Sequence, residues 1–284
     1  MNFTKLLWIF LLLFVSGCQS NNRSSLAKLS IGAVSLGEDE VTINQYKSLK
    51  TYLSNQLNTT IELEPTFNER KAIEQIRRND WDLVFAPPGL AAIAISEAGY
   101  QPIFPLEGNL KARSIIAVRE DSPLSKLSDL ASKVLALGEP GSATRYYFPI
   151  YNLYGLTLGE VRFAPTPEIA LNWLADKEVD AAALSLDDFN HHRVDHPNEQ
   201  FRVLHADLHP APTGSVIIST NLEEADRETI REALANASPA ISDAAGYVPN
   251  VTPPNYDYLI EVVERVVPIA QRIQQQPAPL YEVE

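Results

Sequence analysis

The sequence predicts an α/β protein of two lobes with a cleft between them, and three observations carry that expectation. From Lys28 to Phe85 short β-rich runs alternate with amphipathic helical stretches, the pattern of a largely parallel sheet flanked by helices. The alternation then breaks, because Gln101 to Leu106 and Arg113 to Arg119 are two extended runs with no helix between them, as at a crossing into a second lobe. Beyond that point, from Val134 onward, the alternation starts afresh.

Taken in order, Lys28 to Val34 alternates and reads as the first strand. Ile43, Tyr46, Leu49, Leu53 and Leu57 recur at helical spacing and predict an amphipathic helix. A strand at Thr60 to Glu64, a helix at Asn68 to Arg78 and a strand at Trp81 to Phe85 follow. Pro87-Pro88-Gly89 breaks the chain and starts a helix over Leu90 to Ala98, since proline suits a first helical turn. In the second half, strand Val134 to Leu137, helix Ser142 to Tyr154, strand Val161 to Phe163, helix Pro167 to Asp176, strand Asp180 to Leu184 and a short helix from Leu186 are expected. Strands Phe201 to Leu204 and Ser215 to Ser219 and helix Glu223 to Ala237 come next. A last helix, Tyr256 to Gln275, carries Leu259, Val262, Val263, Val266, Ala270 and Ile273 on one face, with Pro268 as a potential kink. These elements divide the chain into lobe 1, residues 27–110 with 214–284, and lobe 2, residues 111–213.

The first residues carry a different message. Leu6 to Val15 is an unbroken apolar run behind Lys5, too short for the about 20 residues of a membrane span but suited to a secretory signal. Ser16-Gly17-Cys18 ends it, and Cys18 is the only cysteine. Small residues before a cysteine resemble the bacterial lipobox, so residues 1–17 are expected to be removed and Cys18 to carry lipid, with residues 18–26 as a polar tether. The plainer alternative is an ordinary signal peptide that happens to contain a thiol. Without residues 1–17 the body has 22 basic against 36 acidic side chains, a balance of −14, which disfavours nucleic acid and anionic membrane surfaces as partners. A small anion is still allowed, because a closed site is governed by local amides and dipoles.

The sharpest local signal is Leu137-Gly138-Glu139-Pro140-Gly141-Ser142-Ala143-Thr144-Arg145. A buried strand stops, glycines and a proline turn the chain, and a helix begins at hydroxyl residues. Free amides and the positive dipole end at such a helix start bind phosphate-like anions. Ser142 and Thr144 add hydroxyl donors and Arg145 a charge; the competing reading makes Ser142 a simple N-cap.

Several segments in sequence order resemble the phosphate, phosphite and phosphonate substrate-binding proteins of ABC transporters, the PhnD-like family. Tyr46 to Ser54 is similar to that family's Tyr-Leu-Ser helix, Asn79 to Phe85 to its Asp-containing strand, and Glu97 to Pro102 to its Ala-Gly-Tyr segment. Glu139 to Thr144 resembles its anion loop, and Val179 to Ala183 its Val-Asp-Ala-Ala-Ala strand. The resemblance implies a type II periplasmic-binding-protein-like fold, each lobe a mixed sheet flanked by helices, closing on ligand. It implies an oxyanion bound by Ser142, the Ala143 amide and Thr144 from lobe 2, faced by Tyr46, Pro88 and Gly89 of the Pro87-Pro88-Gly89 turn. Ser185, and more weakly Arg113 and Ser114, join them. Two departures stand out: Ala143 replaces a threonine of the family, and Arg145 a small residue, so that Arg145 either reaches the anion or points into solvent. Glu168 and Asp187 fall near carboxylates that serve a ligand amine in aminophosphonate binders, or are ordinary first-turn acids.

His191, His192 and His196 suggest a metal only weakly, because adjacent histidines do not readily face one ion. No Gly-x-Ser-x-Gly elbow or His-Glu-x-x-His motif occurs, and no cofactor is implied. The expectation is a monomeric, exported, lipid-anchored receptor that delivers a phosphorus oxyanion to an ABC permease. Its alternatives are the same fold binding another small anion, or a lipoprotein that presents ligand to a sensor.

Overall fold

A computed structural model describes residues 26–34, 39–66 and 68–282. Cys18, the apolar run before it and most of the tether lie outside these residues. Among the described residues no helix is long and apolar enough to cross a membrane.

The first lobe begins with β1 (Lys28–Val34), α1 (Asp39–Leu57), β2 (Thr60–Thr66), α2 (Glu69–Arg78), β3 (Leu83–Ala86), α3 (Pro88–Ala98) and β4 (Gln101–Pro105). The chain crosses to β5 (Ser114–Arg119) and β6 (Val134–Leu137), then through a π-helical turn at Ala143–Tyr147 into the short α4 (Phe148–Asn152). The second lobe continues with β7 (Thr157–Leu158), β8 (Glu160–Phe163), α5 (Pro167–Ala175), β9 (Ala181–Ser185), α6 (Leu186–His192) and β10 (Phe201–Ala206). A return crossing leads to β11 (Ser215–Ile218), α7 (Glu224–Ala235) and α8 (Pro239–Ala245), and the chain ends with α9 (Asp257–Val266) and β12 (Ala278–Pro279).

Each lobe is organised on a five-stranded mixed sheet with helices on its faces, in the order β2-β1-β3-β11-β4 and β10-β5-β9-β6-β8. In the first, β1 runs parallel to β2 and β3, whereas β11 returns antiparallel between β3 and β4. The second repeats the scheme, with β6 parallel to β8 and β9 and with β5 antiparallel to β9 and β10. The central strands β3, β9 and β11 are buried along their whole length and are accordingly apolar runs rather than alternating ones. Two backbone links tie the crossings together, Asp207 N–H to Ser114 O at 2.9 Å and Ala211 N–H to Ala112 O at 2.7 Å. Arg113 Nη1 adds a bond to Asp207 O at 3.2 Å.

The end of the chain departs from the sequence expectation, which placed all of residues 214–284 with lobe 1. After Tyr247, which is buried in the lobe 1 core, the chain crosses a third time. Tyr256 anchors this crossing, bonded to Ser215 Oγ at 2.9 Å and donating to Thr213 O at 2.7 Å. β12 then pairs antiparallel with β7 of lobe 2, and Ala278 and Leu280 are fully buried there. The last helix also stops early. Pro268 lacks an N–H and its ring obstructs the preceding turn, so α9 gives way at Val267 to 3₁₀ turns. Leu280→Ala is expected to lower the unfolding free energy by about 2–5 kcal/mol in urea denaturation, the cost of emptying a closed apolar site. A loss below about 1 kcal/mol would remove the tail from the lobe 2 core.

Candidate functional site

β6 ends at Leu137, and the backbone turns through Gly138 to Gly141, closed by a hydrogen bond from Gly138 N–H to Arg145 O at 2.9 Å. Ser142 is extended, with φ −76° and ψ 122°, and its Oγ accepts from Arg145 N–H at 3.2 Å, so it does cap the turn that follows. A hydroxyl that accepts still has its own proton to donate. Tyr146 N–H and Tyr147 N–H both bond to Ser142 O, at 3.2 and 3.0 Å, and Phe148 N–H reaches back to Ala143 O. This wider winding replaces the regular helix expected from Ser142 to Tyr154; single π turns are rare and concentrate at functional sites. Among the described residues the amides of Ala143 and Thr144 have no acceptor in the protein. Ser114 Oγ donates to Thr144 O at 2.6 Å and fixes the loop from beneath.

These residues form one wall of a cavity of about 520 Å³ between the lobes. Ser142, Ala143, Thr144, Arg145 and Ser185 line it from lobe 2, Pro87 and Pro88 from the start of α3, and Gly108, Asn109, Ala112, Ala211 and Pro212 from the two crossings. Arg145 does not point into solvent. It is 7% exposed, lies across Gly138 and has no ion pair among the described residues. A Cβ on Gly138 would fall 2.7 Å from Arg145 Cβ, so this glycine is what lets the arginine fold into the wall.

The lobes meet at the deep end of the cleft. A Cβ on Gly89 would lie 1.8 Å from Gly141 O and 3.1 Å from Ala143 N, so here backbone rests on backbone. Gly141 has φ +119°, a conformation that only glycine adopts without strain. The start of α3 is thereby aimed at the Ser142 turn, and the first intrahelical bond of α3 is Ala91 N–H to Pro87 O at 2.9 Å. The Gly89 and Leu90 amides precede it. Beside this contact Arg70 of α2 lies 3.8 Å from Glu139 of the turn, an exposed ion pair between lobes of the kind that contributes about 0–1 kcal/mol.

Four expected ligand residues do not line the cavity: Gly89, which is pressed against Gly141 where the lobes meet, and Tyr46, Glu168 and Asp187. Tyr46 is 6% exposed and packs on Phe85 with ring centroids 4.8 Å apart, inside the lobe 1 core. Burial raises its hydroxyl above the usual tyrosine range. Glu168 is exposed in the first turn of α5, where Thr166 Oγ1 caps the helix. Asp187 is exposed and accepts from Asn109 Nδ2 at 2.6 Å, while its neighbour Asp188 lines the cavity. Ser185 Oγ caps α6 by accepting from Asp188 N–H at 3.0 Å. Sequence reasoning missed the contribution of the crossings, and missed Glu69, which is buried against Gly141. Among the described residues no group of three histidine, cysteine, aspartate or glutamate side chains is arranged to hold a metal ion.

The fold is shared with solved binding proteins. XAC2383 from Xanthomonas citri, in structures bound to chloride ion and to ATP, superposes with a TM-score of 0.70 at 21% and 22% identity, over 85% of this chain and 99% and 98% of that one. PhnD1 from Prochlorococcus marinus in complex with methylphosphonate gives 0.63 at 16% identity, over 85% and 98% of the two chains. A binding protein component of an ABC phosphonate transporter from Pseudomonas aeruginosa gives 0.57 at 15% identity, over 78% and 80%. No curated protein matches the chain in sequence. The family model for the periplasmic phosphonate substrate-binding protein of ABC transporters matches residues 31–252, which run through both sheets and the whole cleft wall. The chain therefore belongs to the phosphonate substrate-binding proteins of ABC transporters, exported solute receptors and not enzymes.

Proposed function

We propose that the cleft captures a phosphorus oxyanion, whether phosphate, phosphite or a phosphonate, and that the protein, tethered as a monomer through lipid on Cys18, delivers it to a membrane permease. One observation carries this reading: a buried Arg145 guanidinium with no ion pair, beside two amides with no acceptor among the described residues, at a π turn. An arginine fork and a cluster of N–H donors suit the several acceptor oxygens of a tetrahedral anion. Ser142 and Thr144 supply hydroxyls from lobe 2, and the start of α3, with Pro87 and Pro88 in the cavity wall, faces them from lobe 1. Donors from both lobes reach one anion only when the cleft is closed, so binding shifts the population toward closure.

Calorimetry with phosphate, phosphite, methylphosphonate, aminoethylphosphonate and sulfate tests the ligand class. ATP belongs in the panel because XAC2383 has been solved with it. Micromolar or tighter binding of a phosphorus anion is expected, about −8.2 kcal/mol or more; binding of sulfate alone would overturn it. Recovery of a permease with the membrane-tethered protein is expected in a pull-down, and recovery of only a sensor kinase would favour the presenting role. Removing lipid-modified Cys18 by Cys18→Ala should release the protein from membranes, and undiminished membrane retention would refute the anchor.

Within the site, Ser142→Ala or Thr144→Ala alone should weaken binding about 10- to 100-fold, and Arg145→Gln at least as much, because charge-assisted bonds contribute about 1.5–3 kcal/mol each. The Ser142 change also removes a cap, at about 1 kcal/mol of stability. Unchanged affinity with lowered stability would reduce Ser142 to that structural role. Gly89→Ala should leave the ligand-free melting temperature nearly unchanged but abolish the ligand-induced contraction seen by small-angle scattering, since its methyl collides with Gly141 O.

A further inference from the structure

Glu69 opens α2 in lobe 1, directly after the N-cap Asn68. Such a position usually faces solvent, yet this side chain is 3% exposed and neither carboxyl oxygen has a hydrogen-bond partner among the described residues. Lobe 2 covers it: the position of a Cβ on Gly141 lies 3.1 Å from Glu69 Cβ and 3.4 Å from its carboxyl carbon. The charged and titratable groups that face it are Arg145 and Glu139, with Tyr147 behind them, and Arg70 engages Glu139 on the exposed side. Arg145 forms no ion pair with it. A bare carboxylate in such a place is strongly disfavoured, and a proton removes the charge. Burial raises the Glu69 carboxyl to about 8, against the pull of Arg145 and with a push from Glu139.

We propose that Glu69 links closure to a proton: the lobes close with Glu69 protonated, and opening the cleft to water releases that proton. The inference rests on lobe closure and on no particular ligand. In the open form water returns the carboxyl to its ordinary value of 4.5. The sign follows from linkage. Protonation supports closure in full below about 4.5, and the support is lost progressively as pH rises to about 8, by up to tenfold per pH unit. Above about 8 nothing further is lost. Capture is thus favoured at mildly acid pH and release at alkaline pH, independently of the anion's own ionisation.

Carboxyl-carbon NMR of protein labelled with ¹³Cδ-glutamate reads the group directly, with the Glu69 resonance assigned by its disappearance in Glu69→Gln or, should that variant not fold, by through-bond correlation in the wild type. With saturating methylphosphonate its midpoint is expected above about pH 6. An ordinary carboxylate midpoint, while other resonances show that methylphosphonate is bound, overturns the inference. If methylphosphonate moves no resonance at all, the choice of that phosphonate is what fails, and the same titration with whichever anion of the calorimetric panel binds decides on Glu69 by the same criterion. Calorimetry adds a second readout. Because methylphosphonate titrates equally in both proteins, the ratio of wild-type to Glu69→Gln affinity should fall up to tenfold per pH unit between about 5 and 8. A ratio that does not change with pH refutes the link.

Discussion

The two lobes are joined at the cleft by bare backbone. Gly89 at the start of α3 rests on Gly141 of the turn after β6, with no side chain between them. Any other residue at 89 would hold the lobes apart, and any other at 141 would meet both Glu69 and a backbone angle of +119° that side chains resist. The rest of the site depends on this approach. It aims the α3 amides at the Ser142 turn, sets the depth of the cavity and buries Glu69 beneath lobe 2. Because a backbone contact has no rotamers to adjust, the closed arrangement is fixed in register at that point. Side chains elsewhere in the cleft are positioned relative to it.

An acidic chain, with a formal charge of −13, can hold an anion because the field inside the cleft is local. Two helix starts converge there and Arg145 is folded into the wall, while Asp188 of the wall and its exposed neighbour Asp187 lie at the start of α6. The donors are also held before ligand arrives. Ser114 pins the Thr144 carbonyl, Ser142 is fixed by its own cap, and the missing side chain of Gly138 leaves room for Arg145 in the wall. Preset donors need little reordering on binding, so more of each bond appears as affinity. The general repulsion of a negative body is screened over about 8–10 Å at ordinary salt and is weaker than such contacts.

Much of this was legible in the residues, for identifiable reasons. The crossing from β4 to β5 showed because two strands without a helix between them break a regular alternation, and the turn after β6 showed because Gly138, Pro140 and Gly141 have few other uses after a buried strand. Tyr46 illustrates the opposite case. The spacing with Leu49, Leu53 and Leu57 that identifies α1 also places Tyr46 on its buried stripe, against Phe85, so periodicity argued for the core at the same time as resemblance argued for the cleft. The π turn was not legible, since its winding follows from bonds to Ser142 O and Ala143 O that no pattern encodes. Glu69 after Asn68 reads as an ordinary capped first turn. Only the lobe that folds over it, from about 70 residues further on, makes it exceptional. The tail pairing escaped because β7 and β12 are two residues each, too short to carry periodicity.

That third crossing changes how closure must work. α9 packs on α3 of lobe 1 and on α4 and the π turn of lobe 2, and one apolar cluster runs through all of them without a break. Two lobes joined only by the paired crossings would swing freely. Here, opening the cleft has to slide apolar side chains along α9, a shear motion added to the hinge. Apolar contact is non-directional, so a slide that keeps surface buried changes its free energy little. The polar groups at the cleft behave differently: hydrogen bonds from the Ser142 turn and the charge state of Glu69 alter sharply over an ångström or two. On the proposed reading the balance between open and closed forms is therefore set at the cleft, by the anion and by a proton, while the apolar packing of α9 joins the two lobes.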